Sequence, residues 1–283
     1  MYEKTGGTPA SSAPLDDRKL ALAHTFDAAA DHYLLGPAFS WARIGAALVE
    51  AAQPREGERV LDVASGAGTS ALPAAVRVGP TGSVLAMDLS ENLLALAAGA
   101  ARERGLAQLH VRVGDFEDTN LPDESYDVVL CSLGIFFTAD IPQALAELWR
   151  LVAHGGRLAI STWEGEGMGE VYDCFGEAVR DVWPELPAPT SMPWSPICTP
   201  AKLAHVFAAA GLPSPVVLPF RLSEELEAER MWANFMGGGI RGLLNRFDQD
   251  QLAAIRAGLL SRLTDRGVTS IDYELLLAVA TRE

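Results

Sequence analysis

The chain has 283 residues, with 22 Lys plus Arg against 37 Asp plus Glu, a formal charge of −15 at pH 7. Its 49% hydrophobic and 21% charged residues supply ample material for a packed core and exclude a globally disordered chain. The acidic balance counts against a partner held through phosphates, so no nucleic acid is expected among its partners. Cys131, Cys174 and Cys198 are odd in number, show no C-x-x-C spacing and have no histidine pair at metal-ligand spacing beside them. They read as reduced thiols, with neither a disulfide framework nor a metal site. The first thirty residues lack the basic flank and apolar stretch of a signal peptide, and no apolar run approaches the roughly 18 to 20 residues of a membrane span. A cytoplasmic protein is expected, monomer or homodimer.

In chain order, residues 1–15 are rich in Gly, Ser, Thr, Ala and Pro and read as a flexible tail. Residues 16–53 are helical in period, with Phe39, Ile44, Ala47, Leu48 and Ala51 on one face. From Arg59 short β-rich runs alternate with helical segments: 59–64, 83–88, 109–113, 126–132 and 156–162. Strands separated by helices need crossover connections, the signature of a parallel sheet covered on both faces. Ser90 caps a helix that ends near Gly105. Asp140 and Pro142 open another that runs through Val152 to Gly155 and Gly156, and Thr199 with Pro200 opens a third that stops at Gly211. Two last strands follow at 216–223 and 273–281. Residues 16–283 are therefore expected to form one α/β domain. The helices of 16–53 and the insertions 163–200 and 223–267 should cap the substrate site.

The first strand runs into Asp62-Val63-Ala64-Ser65-Gly66-Ala67-Gly68-Thr69, a turn with two glycines at the carboxyl end of a strand. Glycine there permits positive φ and lets a ligand approach the backbone. Asp88 ends the second strand, twenty residues after Gly68, where a carboxylate can accept hydrogen bonds from two ribose hydroxyls. Gly66 to Ala71 also fits the dinucleotide pattern G-x-G-x-x-G/A, a weak signal by itself. Against it, an acid lies inside the strand end and the glycines come four residues later. None of Tyr2, Tyr33, Tyr126, Tyr172 or Tyr273 has a lysine four residues on, as a short-chain oxidoreductase would need.

The segments VLDVASGAG, MDLS, VGDFED, LPDESYDVVLCSLGIFF and ALAELWRLVAHGGRLAISTW together resemble the class I S-adenosylmethionine-dependent methyltransferases, and within them the bacterial ubiquinone/menaquinone C-methyltransferase-like group. The resemblance covers about residues 25 to 283. It implies a doubly wound, mostly parallel seven-stranded sheet of Rossmann-like type whose last pair includes an antiparallel strand. It also implies S-adenosyl-L-methionine as cofactor and S-adenosyl-L-homocysteine as product. Ala64, Ser65, Gly66 and Gly68 would wrap the methionine part and Asp88 the ribose. Leu89, Gly114, Asp115 and Phe116 would surround the adenine, while Cys131 and Ser132 pass close to the sulfonium. Ala64 departs from the family, in which glycine is common at that position. A phosphate-free, cationic cofactor suits a lysine-poor acidic chain, and aromatic faces tolerate a sulfonium.

Other residues keep two readings open. Asp62 either holds the loop that follows it or meets the ligand. Asp115 stands in a charge run with Glu117 and Asp118, which is otherwise a solvated face. His32 and Tyr33 fall in the segment that closes over the cofactor in the resembling family; they are the candidates for acid/base work, and Tyr33 otherwise packs on the cofactor. His110 and His154 read as structural. Phe136, Trp163 and Trp232 are candidate acceptor-binding residues. The aromatic and Met residues of the cap segments (Met168, Tyr172, Phe175, Met192, Trp194, Met231, Trp232, Phe235 and Met236) point to a small apolar or aromatic acceptor. Methylation at carbon, oxygen or nitrogen is not distinguished. The rivals are the same fold and bound cofactor driving a non-methylating reaction such as a cyclisation, a nicotinamide oxidoreductase, and a non-catalytic ligand sensor.

Overall fold

Runs such as Val60 to Val63 and Val128 to Cys131 are buried on both faces, which only a sheet sandwiched between helices allows. The computed structural model describes residues 15–165, 169–187 and 191–283. The expected tail up to Pro14 and the side chain of Met168 lie outside the described residues. In chain order the elements begin α1 (Asp17–Tyr33), α2 (Pro37–Ala52), β1 (Arg59–Val63), α3 (Ala71–Val78), β2 (Ser83–Asp88), α4 (Glu91–Glu103), β3 (Leu109–Val113) and β4 (Tyr126–Ser132). A short 3₁₀ turn (Ile135–Phe137) precedes α5 (Ile141–Arg150), β5 (Val152–Trp163), α6 (Glu170–Val182) and α7 (Pro200–Ala209). The chain ends through β6 (Val216–Glu225), α8 (Ala228–Met236), α9 (Arg241–Leu244), α10 (Gln249–Asp265) and β7 (Ser270–Thr281).

The sheet has seven strands in the order β3-β2-β1-β4-β5-β7-β6. The first five run parallel, and β7 is antiparallel to both β5 and β6. The order reverses beside β1, so the loops leaving β1 and β4 flank the crevice in which ligands of open α/β sheets bind. This is the doubly wound α/β architecture expected. The caps act as expected too: the Ser90, Asp140 and Thr199 side chains accept from Leu93, Gln143 and Lys202 backbone N–H groups.

The last two strands extend slightly beyond expectation, to Glu225 in β6 and back to Ser270 in β7, and two larger differences have a packing cause. The helix opened by Asp140 stops at Arg150, and β5 already begins at Val152. The reason lies in pairing: Tyr126 meets Val152 but Val128 meets Arg157, so the residues around Gly155, at φ +76°, bulge out of an otherwise continuous strand. The segment 16–53 is two helices, broken at Leu34–Gly36. A Cβ on Gly36 would lie 2.4 Å from the Asn234 backbone nitrogen, so this break lets α8 pack directly on the start of α2.

Candidate functional site

β1 delivers Asp62 and the glycine loop to the carboxyl edge of the sheet. Asp62 is fully buried and accepts from Ser65 Oγ at 2.5 Å and Ser70 Oγ at 2.8 Å. Both carboxylate oxygens accept from the loop that follows, which supports the first of its two readings. Burial pushes its carboxyl up to about 7, despite the two serine hydrogen bonds that pull the other way. Gly66 and Gly68 have φ of +53° and +82°, as the turn requires. Ala64 also has positive φ, +49°, and its methyl turns toward Gly134 in the loop after β4.

Asp88 ends β2 directly beside that loop, because Val63 pairs with Met87. Its Oδ2 accepts from Gly66 N and its Oδ1 from Ser90 N, both at 2.8 Å. Burial raises its pKa against these N–H donors. A carboxylate offers about four lone-pair positions, so with the Gly66, Ser90 and Leu89 N–H groups against it Asp88 keeps capacity for a further hydroxyl donor. Leu89 is half-buried next to it and Phe116 is buried. Gly114 donates its N–H to Asp88 O at 2.9 Å, and a Cβ there would lie 3.1 Å from Met87 Sδ. Asp115 is already engaged: Oδ2 meets Lys19 Nζ at 2.5 Å and Oδ1 accepts from Glu117 N.

Helix α1 lies across these strand ends. Besides Lys19, Arg18 pairs with Glu117 at 2.8 Å, and Asp27 accepts from Ser90 Oγ at 2.6 Å and from Asn92 N. Burial lowers the Lys19 pKa, but the hydrogen bond and charge of Asp115 outweigh that and leave it raised. Tyr33 is buried, with its hydroxyl bonded to Thr69 of the glycine loop. Burial drives its phenol far above the ordinary range, which fits packing and not base chemistry. His32, the companion candidate, is not brought to the loop. Its Nδ1 sits 2.6 Å from Asp31, itself paired with Arg241 at 3.0 Å, so the ring belongs to a clasp between α1 and α9.

On the other side of the crevice, Cys131 is fully buried and burial raises its thiol pKa, so the side chain behaves as an apolar filler. Ser132 Oγ lies 3.2 Å from Ser161 Oγ, which accepts from Leu133 N. Phe136 and Trp163 are joined into one aromatic wall through Trp194, with ring centroids 5.8 and 6.1 Å apart. Trp163 also contacts Trp41 and Tyr273. A cavity of about 230 Å³ opens there, among Trp163, Glu164, Gly169, Tyr172, Asp272, Tyr273 and Glu274.

Most of the cap aromatics do not line it. Phe175 stacks on Phe235 at 4.2 Å, and Met231 and Met236 are buried in the core, while Trp232 is half-buried on α8 away from the cavity. Sequence reasoning missed Trp41 and Tyr273, whose rings join Trp163. Trp41 looked like an ordinary helix residue and Tyr273 like the start of a strand, and no spacing connects positions 41 and 273.

The residues at the crevice fit a ligand with two vicinal hydroxyls and a positive charge: an acid with capacity to accept, a glycine turn, aromatic walls, and nearby cations, Lys19 and Arg18, already paired with Asp115 and Glu117. Residues 61–160 match the methyltransferase domain family. The chain is 32% identical over 234 residues to nocamycin O-methyltransferase of Saccharothrix syringae, a match covering 77% of this chain and 81% of that protein. The chain therefore belongs to the class I S-adenosylmethionine-dependent methyltransferases, in the ubiquinone/menaquinone C-methyltransferase-like group, and S-adenosyl-L-methionine is its cofactor. It is also 33% identical over 189 residues to demethylmenaquinone methyltransferase of Deinococcus radiodurans, covering 62% of this chain and 76% of that protein. Among solved structures, YcgJ of Bacillus subtilis has a TM-score of 0.55 at 18% identity, over 85% of this chain and 98% of that one. The 4+2 cyclase SpnF has a TM-score of 0.52 at 19% identity, over 85% and 81%. These two likenesses are of fold. Among the described residues, no helix is long and apolar enough to cross a membrane.

Proposed function

We propose that the chain methylates a small apolar or aromatic acceptor in a biosynthetic pathway. When bound, the cofactor supplies an electrophilic methyl group on a sulfonium. Ala64 to Gly68 hold its methionine part and Asp88 accepts from the ribose hydroxyls; Leu89, Gly114 and Phe116 bound the adenine. Asp115 takes part only by sharing its carboxylate between Lys19 and the adenine amine. Tyr33 closes the loop from above, and the Trp163 cavity receives the acceptor, so the chain's work is chiefly positioning and exclusion of water. The observation that carries this reading is Asp88, oriented by the Gly66 and Ser90 N–H groups with acceptor capacity to spare, beside the glycine loop where the strand order reverses. Two relatives named for nocamycin and demethylmenaquinone support a small-molecule acceptor.

The test is calorimetric titration with S-adenosylhomocysteine. Binding by the wild type and its loss in Asp88→Ala are expected; absence of binding, or equal binding by the variant, overturns the reading. Because a cyclase shares this fold, cofactor consumption should be followed as well. Bound cofactor that persists unchanged through turnover would favour the non-methylating alternative. Reduced nicotinamide cofactor is expected not to bind.

A further inference from the structure

Tyr172 carries a hydroxyl that the protein itself leaves without a hydrogen bond. The residue stands in the first turn of α6, after Gly169, whose φ of +77° starts the helix without a side-chain cap. Its ring meets Phe235 edge-on at 5.1 Å, and Phe235 stacks at 4.2 Å on Phe175, one turn further along α6. These packed rings fix the direction of the phenol. Its hydroxyl has no hydrogen-bond partner among the described residues. Tyrosine hydroxyls away from water usually find one. Elsewhere in this chain they do: Tyr33 bonds to Thr69, and the Tyr273 oxygen accepts from Ser40 Oγ at 3.2 Å and from Asn234 Nδ2 at 3.3 Å. Nor is the Tyr172 oxygen sealed into the core, as the unpartnered Asn234 Oδ1 and Thr162 Oγ1 are; the residue lines the cavity beside Trp163. Burial, with the Tyr273 phenol nearby, pushes the Tyr172 phenol far above its ordinary range, so it keeps its proton and remains a neutral donor. The cavity lies at the carboxyl end of β5, and β5 is joined to the crevice side by the 3.2 Å contact of Ser161 with Ser132 at the end of β4. Trp163 and Tyr273 give it apolar faces, with centroids 6.1 Å apart. Its charged lining is acidic throughout: Glu164, Asp272 and Glu274, with no Lys, Arg or His among the lining residues. Arg221 pairs with Glu164 and stands 3.6 Å from Glu274, while Asp272 has no ion pair among the described residues.

We infer that Tyr172 is a specificity-determining residue of the acceptor cavity: its hydroxyl donates a hydrogen bond to a neutral carbonyl or hydroxyl oxygen of an aromatic acceptor, and the acidic lining turns away acceptors that carry a carboxylate. The inference rests on the methyltransferase reading above and deepens it by naming the acceptor class. Tyr172 transfers no proton; it supplies the single oriented polar contact that an otherwise apolar pocket uses to choose and align its ligand. A ligand carboxylate would give up its hydration to meet three like charges of which Arg221 offsets only part. A neutral oxygen meets no such repulsion and satisfies the phenol. Size is compatible: about 230 Å³ exceeds the roughly 150 Å³ apolar cavity known to take up benzene. The flat faces of Trp163 and Tyr273 suit an aromatic ring.

The test titrates three probes of similar size, acetophenone, ethylbenzene and benzoate, into the protein loaded with S-adenosylhomocysteine. The wild type should bind acetophenone about tenfold more tightly than ethylbenzene, because a site built to pair an oxygen rejects the analogue without one. Benzoate should bind at least about tenfold more weakly than acetophenone, since its charge is desolvated among carboxylates. Tyr172→Phe keeps the ring on Phe235 and should bind acetophenone and ethylbenzene equally, whereas a merely structural defect would weaken both by one factor and preserve their ratio. Asp272→Asn should narrow the disadvantage of benzoate. Equal binding of acetophenone and ethylbenzene by the wild type would mean that the hydroxyl serves solvent only, and it overturns the inference. So does a ratio unchanged in Tyr172→Phe, benzoate binding as tight as that of acetophenone, or no binding of any probe. Failure of the methyltransferase reading would instead appear as no S-adenosylhomocysteine binding before any probe is added.

Discussion

Ala64 and Gly134 form a one-sided pair: a Cβ on Gly134 would stand 2.3 Å from the Ala64 Cβ and 3.1 Å from Cys131 Sγ. Ala64 holds a left-handed backbone, φ +49°, and Leu133 beside Gly134 holds φ +53°. Such conformations cost L-residues about 1 to 2 kcal/mol each and persist where surrounding structure over-determines them. The two loops leaving β1 and β4 thus press together at the crevice, and the methyl group that replaces the family's usual hydrogen fits only because position 134 has none.

Gly134→Ala is therefore expected to destabilise the protein by roughly 1 to 3 kcal/mol, the usual cost of overpacking. Ala64→Gly alone should change stability by less than about 1 kcal/mol, since relief of the left-handed strain offsets the lost methyl contact. The double variant should recover most of the loss. Urea denaturation of all four proteins reads the coupling, and strict additivity would show that the two loops do not meet in this way.

Asp62 makes stability depend on pH. Its folded pKa of about 7 is above the unfolded value of roughly 3.9. Its contribution is complete below about pH 4 and is lost as the pH rises to about 7, because the unfolded state ionises first; the whole window is on the order of 4 kcal/mol. Asp62→Asn can still bridge Ser65 and Ser70 and cannot ionise, so it should flatten the decline between pH 4 and 7. A wild-type profile with no more slope in that range than the variant's would rule the effect out.

Gly45 and Gly99 should respond oppositely to alanine. A Cβ on Gly45 would lie 2.4 Å from the Thr69 carbonyl oxygen, where α2 rests on the glycine loop. Gly45→Ala should cost at least about 2 kcal/mol by forcing backbone apart, and S-adenosylhomocysteine affinity should fall with it. Around Gly99, within α4, the nearest atom is the tip of Arg102 at 4.0 Å. Gly99→Ala should stabilise by up to about 1 kcal/mol through helix propensity. Thermal melts of both variants give the comparison.

Lys19 ties α1 to Asp115 with both side chains mostly buried, at 14% and 12% exposure. Lys19→Met should loosen the first half of α1 by about 1 to 2 kcal/mol, more than an exposed pair would. Hydrogen exchange should speed up over residues 17–25 and stay unchanged in α2. Uniform acceleration would mean a global loss of stability, and no change would mean that Arg18, Asp27 and Tyr33 hold the helix without Lys19.

Much of the fold could be read from local pattern, because each parallel strand is short, apolar and bounded by a capped helix. Ser90, Asp140 and Thr199 announced their helices through side chains that serve their own backbone. The break at Gly36 and the early start of β5 were not readable, since each answers to a distant partner, Asn234 in one case and Tyr126 in the other. His32 and Tyr33 show the same limit at the site. They are adjacent in sequence, yet one joins Asp31 and Arg241 and the other the glycine loop.

What the residues by themselves determined is the cofactor half of the molecule. A glycine turn, an acid at the end of the next strand and the absence of a basic clamp all lie within short spans whose geometry the backbone period dictates. The aromatic cluster beside the Trp163 cavity was decided only by tertiary structure. Trp41, Trp163 and Tyr273 come from α2, β5 and β7, and they meet because the antiparallel return of β7 lays its first residues against the carboxyl end of β5. Proximity of that kind depends on strand order and register, which no local spacing records.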